Sequence, residues 1–78
     1  MQTYPIAVKG FSPETNEKTL FHHFKSCGSI TKGVTISYFN SSRRVGYIQF
    51  IQRDGQLKAL EMNGTLIGTH TISVRACK

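Results

Sequence analysis

Residues 43–50 read Arg-Arg-Val-Gly-Tyr-Ile-Gln-Phe, and this octapeptide decides the fold of the chain. Successive residues of a β-strand point to opposite faces of a sheet, so the stretch divides into two alternating sets. One set is Gly46, Ile48 and Phe50, and the other is Val45, Tyr47 and Gln49. The first set suits a buried core, and the second set includes polar and aromatic groups that suit an exposed face. The octapeptide therefore predicts a strand with one buried face and one open face.

The segments on either side of this strand alternate between strand and helix patterns. Strands are predicted at 4–9, 30–39, 43–50 and 71–77, with a turn at 40–42. Helices are predicted at 17–26, with Asn16 as the N-cap and Gly28 beyond the end, and at 52–62. The order βαββαβ predicts a single α+β domain over residues 1–78 with the ferredoxin-like fold. Its four-stranded antiparallel sheet has the strand order 4-1-3-2, with both helices on one face.

The period of two along each strand assigns side chains to the two faces of this sheet. The helices are expected to supply Leu20, Phe21, Phe24, Leu57 and Leu60 to the core. The strand residues expected to meet them are Ile6, Val8, Val34, Ile36, Gly46, Ile48, Phe50, Ile72 and Val74. The residues expected on the open face are Ala7, Lys9, Thr35, Ser37, Val45, Tyr47, Gln49, Thr71, Ser73 and Arg75.

The charge of the chain is strongly basic and unevenly distributed. Ten Lys and Arg residues oppose four Asp and Glu residues. The four acids lie in the predicted helices or their approaches, at Glu14, Glu17, Asp54 and Glu61. The predicted strands and the loop at 39–44 contain no acid, so positive charge dominates the sheet. A basic domain of this kind often binds polyanions, although net charge also serves solubility.

Two stretches resemble the paired motifs of the RNA recognition motif family. Residues 43–50 follow the pattern basic-Gly-aromatic-small-aromatic-aliphatic-x-aromatic, except that Arg44 replaces Gly and Val45 replaces an aromatic residue. The hexapeptide at 6–11, Ile-Ala-Val-Lys-Gly-Phe, matches the second motif. Family members stack three sheet aromatics on RNA bases, and the matching positions here are Ala7, Val45 and Tyr47. Only Tyr47 is aromatic, which implies less stacking and more backbone electrostatics.

The resemblance implies that single-stranded RNA binds to the open face. Tyr47 is expected to stack on a base, while Phe39 and two hairpin arginines compensate for the missing aromatics. Phe39 has the alternative role of packing the hairpin, and the arginines that of a solvated hairpin tip. The complete set of candidate RNA-binding residues is Tyr47, Lys9, Val45, Gln49, Arg43, Arg44, Arg75, Ala7, Phe39 and Lys78.

Shorter stretches are similar to two subgroups of this family. Residues 23–30 and 59–63, together with Gly68, resemble domains of nuclear poly(A)-binding proteins, and residues 9–11 with 23–30 resemble domains of plant nucleolins. These positions are mostly structural and transfer no base specificity. They imply a role in mRNA or rRNA metabolism and a nuclear or nucleolar location.

Two other classes of function are compatible with a ferredoxin-like fold. The first is a protein–protein adaptor that uses the helical face or the sheet face. The second is an enzyme or a small-molecule sensor, which requires a catalytic or ligand-binding constellation that the sequence lacks. His22 and His23 are adjacent on a helix and point about 100° apart, and Cys27 and Cys77 lack CxxC spacing. We therefore expect a monomer with no catalytic activity, metal, cofactor, small-molecule substrate or membrane span, in a reducing intracellular compartment.

Overall fold

The computed structural model describes residues 2–40 and 43–77, which form a four-stranded antiparallel sheet with two helices against one of its faces and a separate two-stranded sheet. The predicted turn at 40–42 falls mostly outside the described residues, as does Lys78. The strands are β1 (Tyr4–Lys9), β2 (Ile30–Asn40), β3 (Arg43–Phe50), β4 (Leu66–Ile67), β5 (His70–Thr71) and β6 (Ser73–Ala76). The helices are α1 (Glu17–Phe24) and α2 (Arg53–Leu60).

The four long strands have the order β2-β3-β1-β6, and every pair is antiparallel. This is the predicted order 4-1-3-2 read from the opposite edge, so the ferredoxin-like prediction is confirmed. Across the sheet, Tyr47 is the register partner of both Ala7 on β1 and Thr35 on β2. Ala7 in turn pairs with Arg75 on β6. These four residues therefore form one row across the middle of the sheet.

The core lies between the helices and the sheet face that carries Gly46, Ile48 and Phe50. Its largest fully buried side chains are Phe24, Phe50, Ile6, Leu20, Ile48, Ile72 and Val8. Two glycines let the helices approach the sheet closely. A Cβ atom at Gly46 would lie 2.7 Å from Leu20 Cδ1, and one at Gly55 would lie 2.7 Å from Phe50 Cδ1. Gly55 weakens α2 as a helix but permits its contact with β3.

Helix α1 begins as predicted. Asn16 Oδ1 accepts a hydrogen bond of 2.9 Å from the backbone N–H of Thr19, and Glu17 lies in the first turn. The cap satisfies an N–H group that has no partner within the helix. Both helices are shorter than predicted, because α1 ends at Phe24 and α2 at Leu60, each followed by turns.

Two helical residues predicted for the core lie outside it. Leu57 is 49% exposed, because α2 packs through Gly55 and Ala59, which are one turn apart, and Leu57 points away from both. Phe21 is half-buried and lies outside the core cluster, since α1 packs through Leu20 and its neighbour one turn later. The predictions for Leu57 and Phe21 are therefore wrong. Phe11, the last residue of the hexapeptide at 6–11, follows the end of β1 and is buried in the core.

The predicted strand at 71–77 is divided in the structure. Thr71 belongs to the short β4–β5 hairpin, where it pairs with Leu66, and only Ser73–Ala76 joins the main sheet. Ile72 bridges the two sheets, since its backbone N–H donates to Thr65 O at 2.8 Å and its carbonyl accepts from Gly64 N at 2.8 Å. The prediction that Thr71 lies on the open face is wrong.

Strand β2 departs from the strict alternation that the sequence predicts. Its register with β3 shifts between Thr31 and Val34, where Lys32 and Gly33 have φ angles of 63° and 70°. A second shift lies between Tyr38 and Asn40. The first irregularity is a bulge on an edge strand of the sheet, because β2 pairs only with β3.

Candidate nucleic-acid interface

The sheet face opposite the helices is the open face, and no helix among the described residues covers it. Its members by strand alternation and register are Pro5, Ala7, Lys9, Thr31, Thr35, Ser37, Arg43, Val45, Tyr47, Gln49, Ser73 and Arg75. Within residues 2–40 and 43–77 the structure contains no pocket.

Tyr47 occupies the centre of the open face. It lies on β3, an inner strand, and its register partners are Ala7 and Thr35. Its neighbour Ala7 has a small side chain, which does not enclose the half-buried ring on that side. An aromatic ring in this position offers a π-face on which a base can stack.

Two exposed cations lie on the side of this ring that faces β1 and β6. Arg75 is exposed on β6 and completes the row that contains Tyr47 and Ala7. Lys9 is exposed at the end of β1, opposite Ser73. All four acids of the chain lie outside the strands of the main sheet. The open face therefore presents positive charge beside its aromatic ring, as the sequence predicts.

Gln49 lies two residues beyond Tyr47 on the same face and has a fixed partner. Thr3 Oγ1 donates a hydrogen bond of 2.8 Å to Gln49 Oε1. Both residues are half-buried, and Pro5 is the register partner of Gln49 on β1. Sequence reasoning included Gln49 in the site but missed Thr3, which precedes the first strand and belongs to no motif.

Val45 contributes almost no accessible surface to this face. It is 3% exposed and does not belong to the core cluster between sheet and helices. Alternation places its side chain on the opposite side of β3 from Gly46 and Ile48, and its register partner on β2 is Ser37. At this position the sequence has a buried apolar residue where family members have an aromatic platform.

A second aromatic–cation pair lies at the end of the β2–β3 hairpin. Arg43 Cζ is 5.6 Å from the centroid of the Phe39 ring, within the range of a cation–π contact. Both side chains are exposed, Phe39 by 58%. Arg43 shares its strand face with Tyr47, four residues away, which corresponds to about 13 Å along β3. The hairpin therefore extends the open face beyond the end of β1.

The two adjacent hairpin arginines point to opposite faces. Arg44 pairs with Tyr38, and alternation places it on the helix side of the sheet with Gly46 and Ile48. It is half-buried, and its Nε has no hydrogen-bond partner among the described residues. Of the two arginines that the sequence groups together, only Arg43 lies on the open face.

The other chemically active side chains lie away from this face. Cys27 is buried near Met62, with its Sγ 3.3 Å from the Met62 Sδ, and burial raises the pKa of the Cys27 thiol. Burial lowers the pKa of His23 on α1. In the described part of the chain, no three metal-ligating side chains come together, and no helix is long and apolar enough to cross a bilayer.

A family comparison decides the class of this domain. The model of the RNA recognition motif matches residues 6–73. The chain belongs to the RNA recognition motif family. Membership explains why the octapeptide at 43–50 and the hexapeptide at 6–11 lie side by side on β3 and β1, with their exposed residues on one face. The family indicates an RNA-binding module and is not generally one of enzymes.

Curated relatives contain this domain as a small part of a longer protein. Nucleolin 1 of Arabidopsis thaliana is 39% identical over 70 residues, which is 81% of this chain and 12% of that protein. Multiple RNA-binding domain-containing protein 1 of Dictyostelium discoideum is 32% identical over 95% of this chain and 8% of its own length. The chain therefore spans about a tenth of these relatives.

Solved structures of RNA recognition motif domains superpose closely on this one. The third such domain of Mip6 has a TM-score of 0.84 at 25% identity, and covers 94% of this chain and 91% of its own. The yeast splicing factor Prp24, in a structure with three RNA-binding domains, has a TM-score of 0.82 at 26% identity over 91% of this chain and 30% of that chain. Both comparisons confirm the fold.

Proposed function

We propose that this domain binds single-stranded RNA across the open face, with Tyr47 as the stacking platform. The observation that carries the proposal is the central row of the sheet, where Tyr47 lies between Thr35 and Ala7 and the row ends at Arg75. An aromatic ring with small neighbours and a cation at the edge suits an unpaired base whose phosphate lies beside it.

The phosphates of the strand are neutralised by the exposed cations of the open face, which are Lys9, Arg43 and Arg75. Arg44 is left out of this set because it points to the helix side. For three phosphate contacts on a single strand, log K falls with log salt at a slope of about −2. Lys78, which lies outside the described residues, would steepen the slope if it also contacts RNA.

The Phe39–Arg43 pair acts as a second platform in this proposal. The ring and the guanidinium already lie in contact, so little side-chain freedom is lost when a base stacks on them. A strand that reaches from Tyr47 to Phe39 follows β3 toward the hairpin. This arrangement compensates in part for the aromatic residues that Ala7 and Val45 replace.

The biological setting follows from the relatives and is part of the proposal. The plant nucleolin, at 39% identity, favours a nuclear or nucleolar role in mRNA or rRNA metabolism. The domain is proposed to act as a monomer. That residues 1–78 form one domain stays a prediction, since the family match covers 6–73.

The proposal is tested by titrating the domain with single-stranded RNA hexanucleotides while recording backbone amide NMR shifts. Shifts are expected at Tyr47, Gln49 and Arg75, and at Phe39 and Arg43 in the hairpin. Affinity is expected to fall about 15-fold from 50 to 200 mM salt. Shifts confined to α1 and α2, or no binding at low salt, would overturn the proposal.

A protein–protein adaptor is the second candidate, and exposed Leu57 on α2 favours it. A single exposed leucine is common on soluble proteins, so this observation is weaker than the row around Tyr47. A protein partner retained after RNase treatment and high salt, and lost on Leu57→Ser, would support the adaptor. Retention of the same partner by Leu57→Ser would count against it.

A further inference from the structure

Gln49 differs from the other polar groups of the open face because one end of its amide is already occupied. Its Oε1 accepts a hydrogen bond from Thr3 Oγ1 at 2.8 Å. The carbonyl end is therefore held toward Thr3, and the amide nitrogen is the end available to a ligand. With its carbonyl turned toward Thr3, the amide presents its N–H donors to a ligand.

The position of Gln49 brings this donor within reach of a base. Gln49 follows Tyr47 by two residues on the same face, a separation of about 7 Å along β3. Its register partner on β1 is Pro5, which adds apolar surface and no backbone N–H, and its register partner on β2 is Thr31. A base stacked on Tyr47, or the next base along the strand, meets the amide nitrogen at its edge.

The exocyclic groups at position 4 of the pyrimidines and position 6 of the purines divide into two classes toward such a donor. Uracil O4 and guanine O6 are acceptors, whereas cytosine N4 and adenine N6 are amino groups that donate. An amide N–H facing a carbonyl forms a hydrogen bond. The same N–H facing an amino group leaves two donors in opposition, with neither satisfied.

We propose that Gln49, oriented by Thr3, selects a base with a carbonyl at position 4 of a pyrimidine or position 6 of a purine, which means uracil or guanine. The proposal rests on the proposed function, since it needs RNA on that face. Gln49 is the specificity-determining residue, and Thr3 is a positioning residue that acts through it. The alternative role of the Thr3–Gln49 bond is to tie the segment before β1 to the sheet.

Oligouridine and oligocytidine hexanucleotides test this selection. Uracil and cytosine have the same ring size, so the comparison holds stacking nearly constant. One hydrogen bond predicts roughly 2- to 12-fold tighter binding of oligouridine by the wild-type domain. Gln49→Glu replaces the donor by an acceptor and should reverse the ratio in favour of oligocytidine. The added negative charge weakens both complexes and cancels in the ratio.

Thr3→Val tests the orienting bond itself. Valine keeps the shape of threonine but cannot donate, so the amide is free to turn and the ratio should move toward one. Thr69→Val is the matched control, since Thr69 is exposed in the turn between β4 and β5. That variant should keep the wild-type ratio. Thermal unfolding of each variant shows whether it is folded, and Gln49→Leu provides a second variant without donor or acceptor.

The outcomes separate this inference from the proposed function. If the domain binds both oligonucleotides through Tyr47 but with a ratio near one, the inference is overturned while RNA binding stands. A preference for oligouridine that survives Gln49→Glu and Gln49→Leu overturns it too. If neither oligonucleotide binds at low salt, the proposed function fails as well.

Discussion

Strand β3 supplies alternate residues to the two sides of the sheet, and the two sets differ in how far packing restricts them. Gly46, Ile48 and Phe50 are buried against the helices, and a Cβ atom at Gly46 would collide with Leu20. On the open face, Tyr47 and Gln49 are half-buried, and their register partners lie on β1 and β2. Close packing allows few other residue types in the first set, whereas the residue types of the second set can change with the ligand. The difference explains how a family fold persists when two of its three stacking aromatics are absent.

The largest expected effect is on the buried side of β3. Ile48→Ala removes a fully buried side chain and leaves a cavity, and should lower the free energy of unfolding by about 2–5 kcal/mol. A 78-residue domain has roughly 4–12 kcal/mol of stability, so this variant approaches the limit of folding. Urea denaturation followed by circular dichroism measures the change. Val45→Ala truncates a buried residue on the other side of β3. A smaller loss of unfolding free energy than for Ile48→Ala would show that the core side contributes more to stability.

The next largest expected effect is on the affinity for RNA. Tyr47→Ala should weaken RNA binding by about 1–3 kcal/mol, because it removes the stacking platform. Isothermal titration with a hexanucleotide measures the loss, and Tyr47→Phe, which keeps the ring, should retain most of the affinity. If Tyr47→Ala lowers the unfolding free energy as much as Ile48→Ala does, the division between the two sides of β3 is wrong.

The smallest expected effect is a pH dependence of stability that arises from His23, on the helix side of the sheet. Burial lowers the pKa of His23 from its ordinary value of 6.5. The unfolded chain therefore takes up the proton first as the pH falls below 6.5, and the folded state loses stability there. Above 6.5 His23 is neutral in both states and contributes no such dependence.

Thermal unfolding from about pH 8 to about pH 5 measures this loss. His23→Phe should flatten the curve, while substitution of the exposed His22 by Gln serves as the control. An unchanged curve for His23→Phe would show that burial of this imidazole has no effect on stability. His23 lies on α1, so RNA affinity is expected to be the same for both variants.

The sequence predicts the fold and most of the open face because the period of a strand determines both. Alternation along 43–50 places Tyr47 and Gln49 on one face and Ile48 on the other, and the structure confirms it. Helix-packing detail is harder to predict. Leu57 matches a helical period, yet Gly55 and Ala59 form the contact, since small residues allow closer approach than leucine.

Parts of the site depend on contacts between residues far apart in sequence, and no local pattern reports them. The Thr3–Gln49 hydrogen bond joins residues 46 positions apart. The burial of Val45 depends on side chains from neighbouring strands, so its accessible surface is not visible in the octapeptide. Arg43 and Arg44 look equivalent as a basic pair, and only the alternation of side chains along β3 places them on opposite faces.

The bulge at Lys32 and Gly33 has a consequence for how copies of this domain behave in a crowded solution. An edge strand with 11 residues presents unpaired N–H and C=O groups that another chain could extend into a larger sheet. The left-handed turn of Lys32 and Gly33 interrupts that ladder, and the exposed lysine adds a charge that an incoming strand would have to desolvate. We expect this local kink to protect the domain from edge-to-edge aggregation, and so to keep its sheet available to RNA at high protein concentration.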